Sequence, residues 1–174
     1  MIKKFLQHHP VHKKIVPILD PIFIIRPTIF FAVWIMVIVG MISAGLTTNT
    51  AQLWMTGLSW QILFVFFGLT LLICSAFISN QLVDEEIDKD NKKLFLIGKY
   101  IAAEKGKSIS RLLLFTGMTI SIIANWITAL PAIAIYFLWG IEYNRAPIAW
   151  KNKPITGWMI HSFVGVLLFI IGWM

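Results

Sequence analysis

Charge is missing from most of this chain. No Asp, Glu, Lys or Arg occurs from Pro27 to Val83, from Leu112 to Ile141, or from Pro154 to Met174. Uncharged apolar runs of that length exceed what a core helix needs and fit membrane spans. An ordinary soluble domain is excluded, because 58% of the 174 residues are hydrophobic and only 13% are charged. Cysteine is nearly absent as well. Cys74 stands alone in an apolar run, so no intrachain disulfide can form and cysteine usage says nothing about redox compartment. Acids are outnumbered, with 8 Asp and Glu against 15 Lys and Arg, a net charge of +7. In a chain with membrane spans, topology and anionic lipid account for such an excess, and no nucleic-acid partner is expected.

The charges that are present collect in three places. Residues 1–26 carry Lys3, Lys4, Lys13, Lys14 and Arg26, with Pro10, Pro17 and Pro21 interrupting any long helix. This reads as a basic arm lying at the membrane surface rather than a signal peptide, since no small-residue cleavage site follows. His8, His9 and His12 fall in the arm, but no Cys or carboxylate completes a metal site beside them. Residues 84–111 are densely charged and read as a solvent-facing loop. Arg145, Lys151 and Lys153 form the third group.

The uncharged run from Leu112 to Ile141 is too long for one span, and Asn125 to Thr128, followed by Pro131, offers a place to turn. With a hairpin there, every Lys and Arg falls on one side of the membrane, and the positive-inside rule makes that side cytoplasmic. The expectation is an all-α integral membrane protein with five spans, at about 28–46, 59–79, 111–125, 129–142 and 155–174, in one multi-span domain over residues 27–174. The N-terminus is then cytoplasmic, in a plasma (inner) membrane. Trp54, Trp60, Trp126, Trp150 and Trp158 fall near the proposed interfaces, whereas Trp34 and Trp139 lie deeper, as packing residues would.

At the end of the second span stand Asn80, Asp84 and Asp88. Spaced by four, they share one helix face. Hard oxygen ligands of this kind suit Mg²⁺, which takes one or two carboxylates and completes its shell with water and phosphate oxygens. The plainer alternative is a helix that simply turns polar as it leaves the bilayer, its acids balancing the lysines that follow. The four-residue register and an amide at the membrane edge favour a site.

Asn80-x-x-x-Asp84-x-x-x-Asp88-Lys89-x-Asn91-Lys92 resembles the first aspartate-rich motif of the UbiA-type intramembrane prenyltransferases. Tyr143-x-x-x-Pro147-x-x-x-Lys151, with Gly165, Phe169 and Gly172-Trp173 in the next span, is similar to the segment after the family's fourth helix; Arg26-Pro27 before the first span also fits. The resemblance implies Mg²⁺-dependent transfer of a polyprenyl group from its diphosphate to an aromatic or lipid acceptor. Asp84, Asp88 and Asn80 become the catalytic, metal-holding residues, and Lys151, Lys92 and Tyr143 the contacts to diphosphate. Each has a plainer alternative: Lys92 as a topology-setting loop lysine, Lys151 likewise, and Tyr143 as an interfacial aromatic. His161, ionisable within the last span, is either functional or a hydrogen-bonded packing residue.

The chain also departs from the family pattern. Nine helices and a second aspartate-rich motif are usual there, whereas beyond Asp88 this sequence holds only Asp90, Glu104 and Glu142 as acids. Asn91-Lys92-Lys93-Leu94-Phe95 lacks the prolines and arginine that commonly follow the first motif. The expectation is therefore an intramembrane prenyltransferase or the N-terminal part of one, with the remaining helices absent or supplied by another chain. One alternative is a non-catalytic descendant binding lipid or a partner. Another is an unrelated transporter or channel subunit with a cation on Asp84 and Asp88, against which the Tyr143–Lys151 segment argues.

Overall fold

A computed structural model describes residues 22–47, 59–85, 97, 101–145 and 147–174. The described residues form five helices and no strand. Helix α1, Phe30–Thr47, is entered through a 3-10 turn at Pro27–Ile29; α2 is Trp60–Val83 and α3 is Ala103–Ala124. Helix α4, Trp126–Tyr136, is prolonged by a π-helical stretch, Phe137–Glu142, and α5 is Pro154–Trp173. Four segments are long and apolar enough to cross a membrane: Pro27–Thr47, Trp60–Val83, Ala103–Ala124 and Pro154–Trp173. The fifth, Trp126–Glu142, is shorter, and at 1.5 Å per residue it reaches about 25 Å. An all-α membrane architecture is thus what the uncharged runs encode.

Local chemistry sets the helix ends. Ser59 Oγ accepts from the Ile62 N–H at 3.3 Å and caps α2. Pro27 and Pro154 take first-turn positions, where a missing N–H costs nothing. The turn expected at Asn125–Thr128 is tighter than the residues suggested. Asn125 alone separates α3 from α4, extended at φ −163°, with Oδ1 accepting from the Ile127 N–H at 3.0 Å. Pro131 lies inside α4 rather than in the turn. Asn125 already supplies the break, and an early proline removes only one helical N–H.

The other difference concerns residues 103–111, expected in the loop and found in α3. Charge does not stop a helix: Ala, Glu, Lys and Arg are strong helix formers, and Lys107 pairs with Glu104 one turn away at 2.7 Å. The basic arm before residue 22, Trp54, Asp88 and Lys92 lie outside the described residues.

Two close seams order the bundle. Along α2 and α3, Gly68 faces Gly117 and Ser121, while Ser75 faces Ser110, so these helices run antiparallel. Gln61 Nε2 donates to the Ala124 carbonyl at 2.9 Å at one end of that seam. Gly140 meets Ala76, so α4 runs back alongside α2 towards Asp84. Helices α1 and α5 are antiparallel too: a Cβ on Gly40 would strike the Phe169 carbonyl, and one on Gly172 the Val37 carbonyl. Small residues permit such approach where apolar burial gives little drive. Val33, Leu69, Leu72, Ile73, Ile135 and Val164 fill the centre. Many outward side chains are large and apolar, and Trp60, Trp126 and Trp158 are exposed, as an interfacial belt requires.

Candidate metal and diphosphate site

Helix α2 ends at Val83, and Asp84 is its C-cap (φ −89°, ψ 2°), with the Asp84 N–H donating to the Asn80 carbonyl at 3.0 Å. Asn80 and Asp84 therefore sit one turn apart, as their spacing predicts. The position is unusual for a carboxylate, because a helix C-terminus carries partial negative charge and acids are disfavoured there. Lys151 answers it. Its Nζ forms an ion pair with Asp84 Oδ1, bridging residues 67 apart in sequence. The pair is mostly enclosed, with side chains 16% and 20% exposed for Lys151 and Asp84 respectively.

The backbone that presents Lys151 is held by its own bonds. The Lys151 N–H donates to the Tyr143 carbonyl at 3.1 Å, closing the loop from α4 to α5, and the Ala149 N–H donates to Arg145 at 2.8 Å. Ala149 is left-handed at φ 38°, as is Arg26 at φ 50°. Such conformations cost about 1–3 kcal/mol each and concentrate where position matters more than comfort. In this protein both flank the same end of the bundle. Gln81 Nε2 donates to the Ile24 carbonyl at 2.6 Å and ties the approach to α1 against α2.

At the same end of the bundle lies a cavity of about 310 Å³ lined by Arg26, Ile29, Phe77, Asn80, Trp139, Tyr143, Asn144 and His161, which reaches the ion pair only through Asn80 and Tyr143. Its walls are aromatic. Phe77 stacks on Trp139 with centroids 5.9 Å apart, and His161 packs on Tyr143 at 5.0 Å and on Trp139 at 5.7 Å. Three buried polar atoms of lining residues have no hydrogen-bond partner: Asn80 Oδ1, Trp139 Nε1 and Asn144 Oδ1. An unsatisfied buried polar atom costs about 1–3 kcal/mol and calls for an explanation, of which a ligand group is one.

Asn80, Asp84, Tyr143 and Lys151 come together at one end of the bundle; Asp88 and Lys92 fall outside the described residues. His161, left open between function and packing, lines the cavity through ring contacts. Trp139, read as a packing residue, lines it too, and Asn144 was not singled out at all. No periodicity marks Asn144, since it follows a π-helical stretch that breaks the 3.6-residue register. A second, apolar groove of about 670 Å³ lies between α1 and α2, bounded by Trp34, Ile38, Met41, Phe66, Phe67 and Thr70. Trp34 Nε1 donates to Thr70 Oγ1 across it at 3.0 Å.

The donor set can be weighed against Mg²⁺. Among the described residues no three His, Cys, Asp or Glu side chains cluster. Asp84 and Asn80 nevertheless offer a carboxylate and an unpartnered amide oxygen one turn apart. Hard oxygens of this kind fit an ion that takes one or two carboxylates and fills the rest of its shell from water and phosphate.

Among curated proteins and solved structures, none matches the chain significantly. The model of the UbiA prenyltransferase family matches residues 33–174, a stretch that takes in nearly all of α1, all of α2 to α5 and both motifs but not Arg26-Pro27. This chain belongs to the UbiA prenyltransferase family.

Proposed function

We propose that the chain binds a polyprenyl diphosphate through Mg²⁺ at Asn80 and Asp84, with Asp88 as a further ligand, and transfers the prenyl group to an aromatic or lipid acceptor. The observation that carries this reading is the meeting of Asp84 and Lys151, an anion for the metal and a cation for the phosphate, at the same end of the bundle as an aromatic-walled cavity. When bound, Mg²⁺ acts as a Lewis acid on the charge developing on the departing diphosphate. The protein's own groups do the rest. Lys151 contributes a point charge to phosphate oxygens, Lys92 a second, and Tyr143 a hydroxyl beside the cavity. Phe77, Trp139 and Tyr143 present π faces, which stabilise developing positive charge on an allylic group. The apolar groove between α1 and α2 offers a lipid-like environment for the isoprenoid tail. The active face is cytoplasmic on the positive-inside argument, and the bilayer is the solvent for the rest.

The test is binding of a labelled prenyl diphosphate to the purified chain, with Mg²⁺ and with chelator. Asp84→Ala is expected to weaken Mg²⁺-dependent binding about 100-fold, the loss typical of a buried charged partner. Equal binding by wild type and variant, unaffected by chelator, removes the site. Product formation is a separate measurement: diphosphate binding without turnover would identify a non-catalytic family member that holds lipid or a partner.

A further inference from the structure

We propose that Lys151 is a resident counter-cation for Asp84, holding the carboxylate while no divalent ion is bound and releasing it when one arrives. This rests on the reading of Asp84 as a metal ligand and adds an exchange to it. Metal binding expels the ammonium, and the expelled ammonium becomes the contact to diphosphate.

Three observations carry it. Asp84 lies at the C-terminal end of α2, where neighbouring carbonyls and the helix dipole repel a carboxylate, so that position needs a cation at all times. Lys151 supplies that cation from 67 residues away, in a pair whose two side chains are mostly enclosed. Its backbone, however, is clamped independently of its charge, by the N–H bond to the Tyr143 carbonyl and by the left-handed Ala149 two residues earlier. A fixed backbone with a flexible four-carbon stem lets the ammonium swing while the loop stays put. Lys151 occupies Asp84 Oδ1, and an ammonium and a divalent ion held on the two oxygens of one carboxylate repel each other strongly, so binding of the ion favours departure of the lysine.

The consequence is a linkage with a definite sign. Competition from Lys151 lowers the apparent affinity of the free protein for the metal, since only the fraction with Asp84 released is competent. Once the metal is bound, a freed ammonium stands next to the site and raises affinity for an anionic substrate. Metal and diphosphate therefore bind with positive coupling.

The experiment measures Mn²⁺ alone, by electron paramagnetic resonance, on the full chain in phosphatidylcholine nanodiscs without prenyl diphosphate. Lys151→Met is expected to bind Mn²⁺ about fivefold tighter than wild type, because the competing cation is gone. Lys151→Gln, the second variant in case the first does not fold, is expected to do the same. Lys153→Met removes the same charge from an exposed neighbour and is expected to change Mn²⁺ affinity by less than about twofold. With Mg²⁺ present, Lys151→Met should bind a farnesyl thiolodiphosphate about tenfold more weakly, the value of one charge-assisted contact. Opposite signs for metal and diphosphate are the signature. Unchanged or weaker Mn²⁺ binding in the Lys151 variants, or equal tightening in Lys153→Met, overturns the exchange and leaves Asp84 as a metal ligand. Absence of Mn²⁺ binding in wild type and Lys151 variants alike removes the metal site itself.

Discussion

Asn144 Nδ2 donates to the Trp139 carbonyl at 2.6 Å, and this one bond ties the turn that follows the π-helical stretch back onto the middle of it. The Asn144 N–H meanwhile turns to Ile141 at 3.2 Å, so the side chain, not the backbone, meets the Trp139 carbonyl five residues back. Asn144 is only 3% exposed. It links two of the aromatic residues that wall the cavity, being bonded to Trp139 and next in sequence to Tyr143. Asn144→Ala is expected to cost about 1–3 kcal/mol, the price of an orphaned buried carbonyl. A lowered melting temperature in detergent, together with weaker prenyl diphosphate binding, is the expected result. An unchanged melt would mean that the bond does not hold the stretch.

The seam between α2 and α3 offers a second test. Ser75 Oγ lies 2.7 Å from the Ser110 carbonyl and 3.0 Å from Ser110 Oγ, and Ser110 Oγ in turn lies 3.1 Å from the Ser75 carbonyl and 3.2 Å from Ser79 Oγ. All three serines are buried. Interhelical hydrogen bonds in membranes average only about 0.6 kcal/mol each. Ser110→Ala should therefore cost about 1–2 kcal/mol, since Ser79 also loses its partner. Titration with a denaturing detergent reads this directly, and a loss above about 4 kcal/mol would mean that the seam depends on more than these bonds.

Backbone contact between α1 and α5 is less forgiving. Any side chain at Gly172 meets the Val37 carbonyl, which cannot rotate away as a side-chain tip can. Gly172→Val is expected to separate the two helices at about 3 kcal/mol or more, at the upper end for overpacking. Gly165 is the control. Its Cβ would come no nearer than 3.9 Å to the end of the Met36 side chain, and Gly165→Ala should leave stability within about 0.5 kcal/mol of wild type. Equal losses in both variants would contradict the close seam.

Cys74, free and 2% exposed, makes a built-in reporter of unfolding. Buried thiols react only when the structure opens. N-ethylmaleimide should label the intact protein at under about a hundredth of the rate for the unfolded chain. Rapid labelling in mild detergent would show that α2 is not packed as described.

Much of this fold was legible beforehand because charge is such a coarse signal in a membrane. Uncharged runs located the long helices among the described residues, α3 only over its second half, and the side-of-membrane count chose the hairpin over a single long helix at Leu112–Ile141. Asn125 then did in one residue what four were expected to share. Residues 103–111 are helical where charge density suggests a loop, because Ala103, Glu104 and Lys105 favour a helix about as strongly as leucine does. At that end of the bundle, four-residue spacing put Asn80 one turn from Asp84, and motif likeness grouped Lys151 and Tyr143 with them, which is where these residues meet in space. Neither finds Asn144 or the cavity-lining role of Trp139. Their place depends on a π-helical stretch that shifts the register by a fraction of a turn, and no pattern in Phe137–Glu142 announces it.

The single residue joining α3 to α4 also fixes which parts of the bundle can move together. With Asn125 as the whole connection, no slack exists to hold the two helices apart, and they behave as one hairpin. Its tip is at Asn125 and its charged residues, from Glu104 to Arg111, lie at the far end of α3. A displacement of α3 is therefore passed on to the short, proline-bearing α4, and through the Tyr143 carbonyl to the loop that holds Lys151 against Asp84.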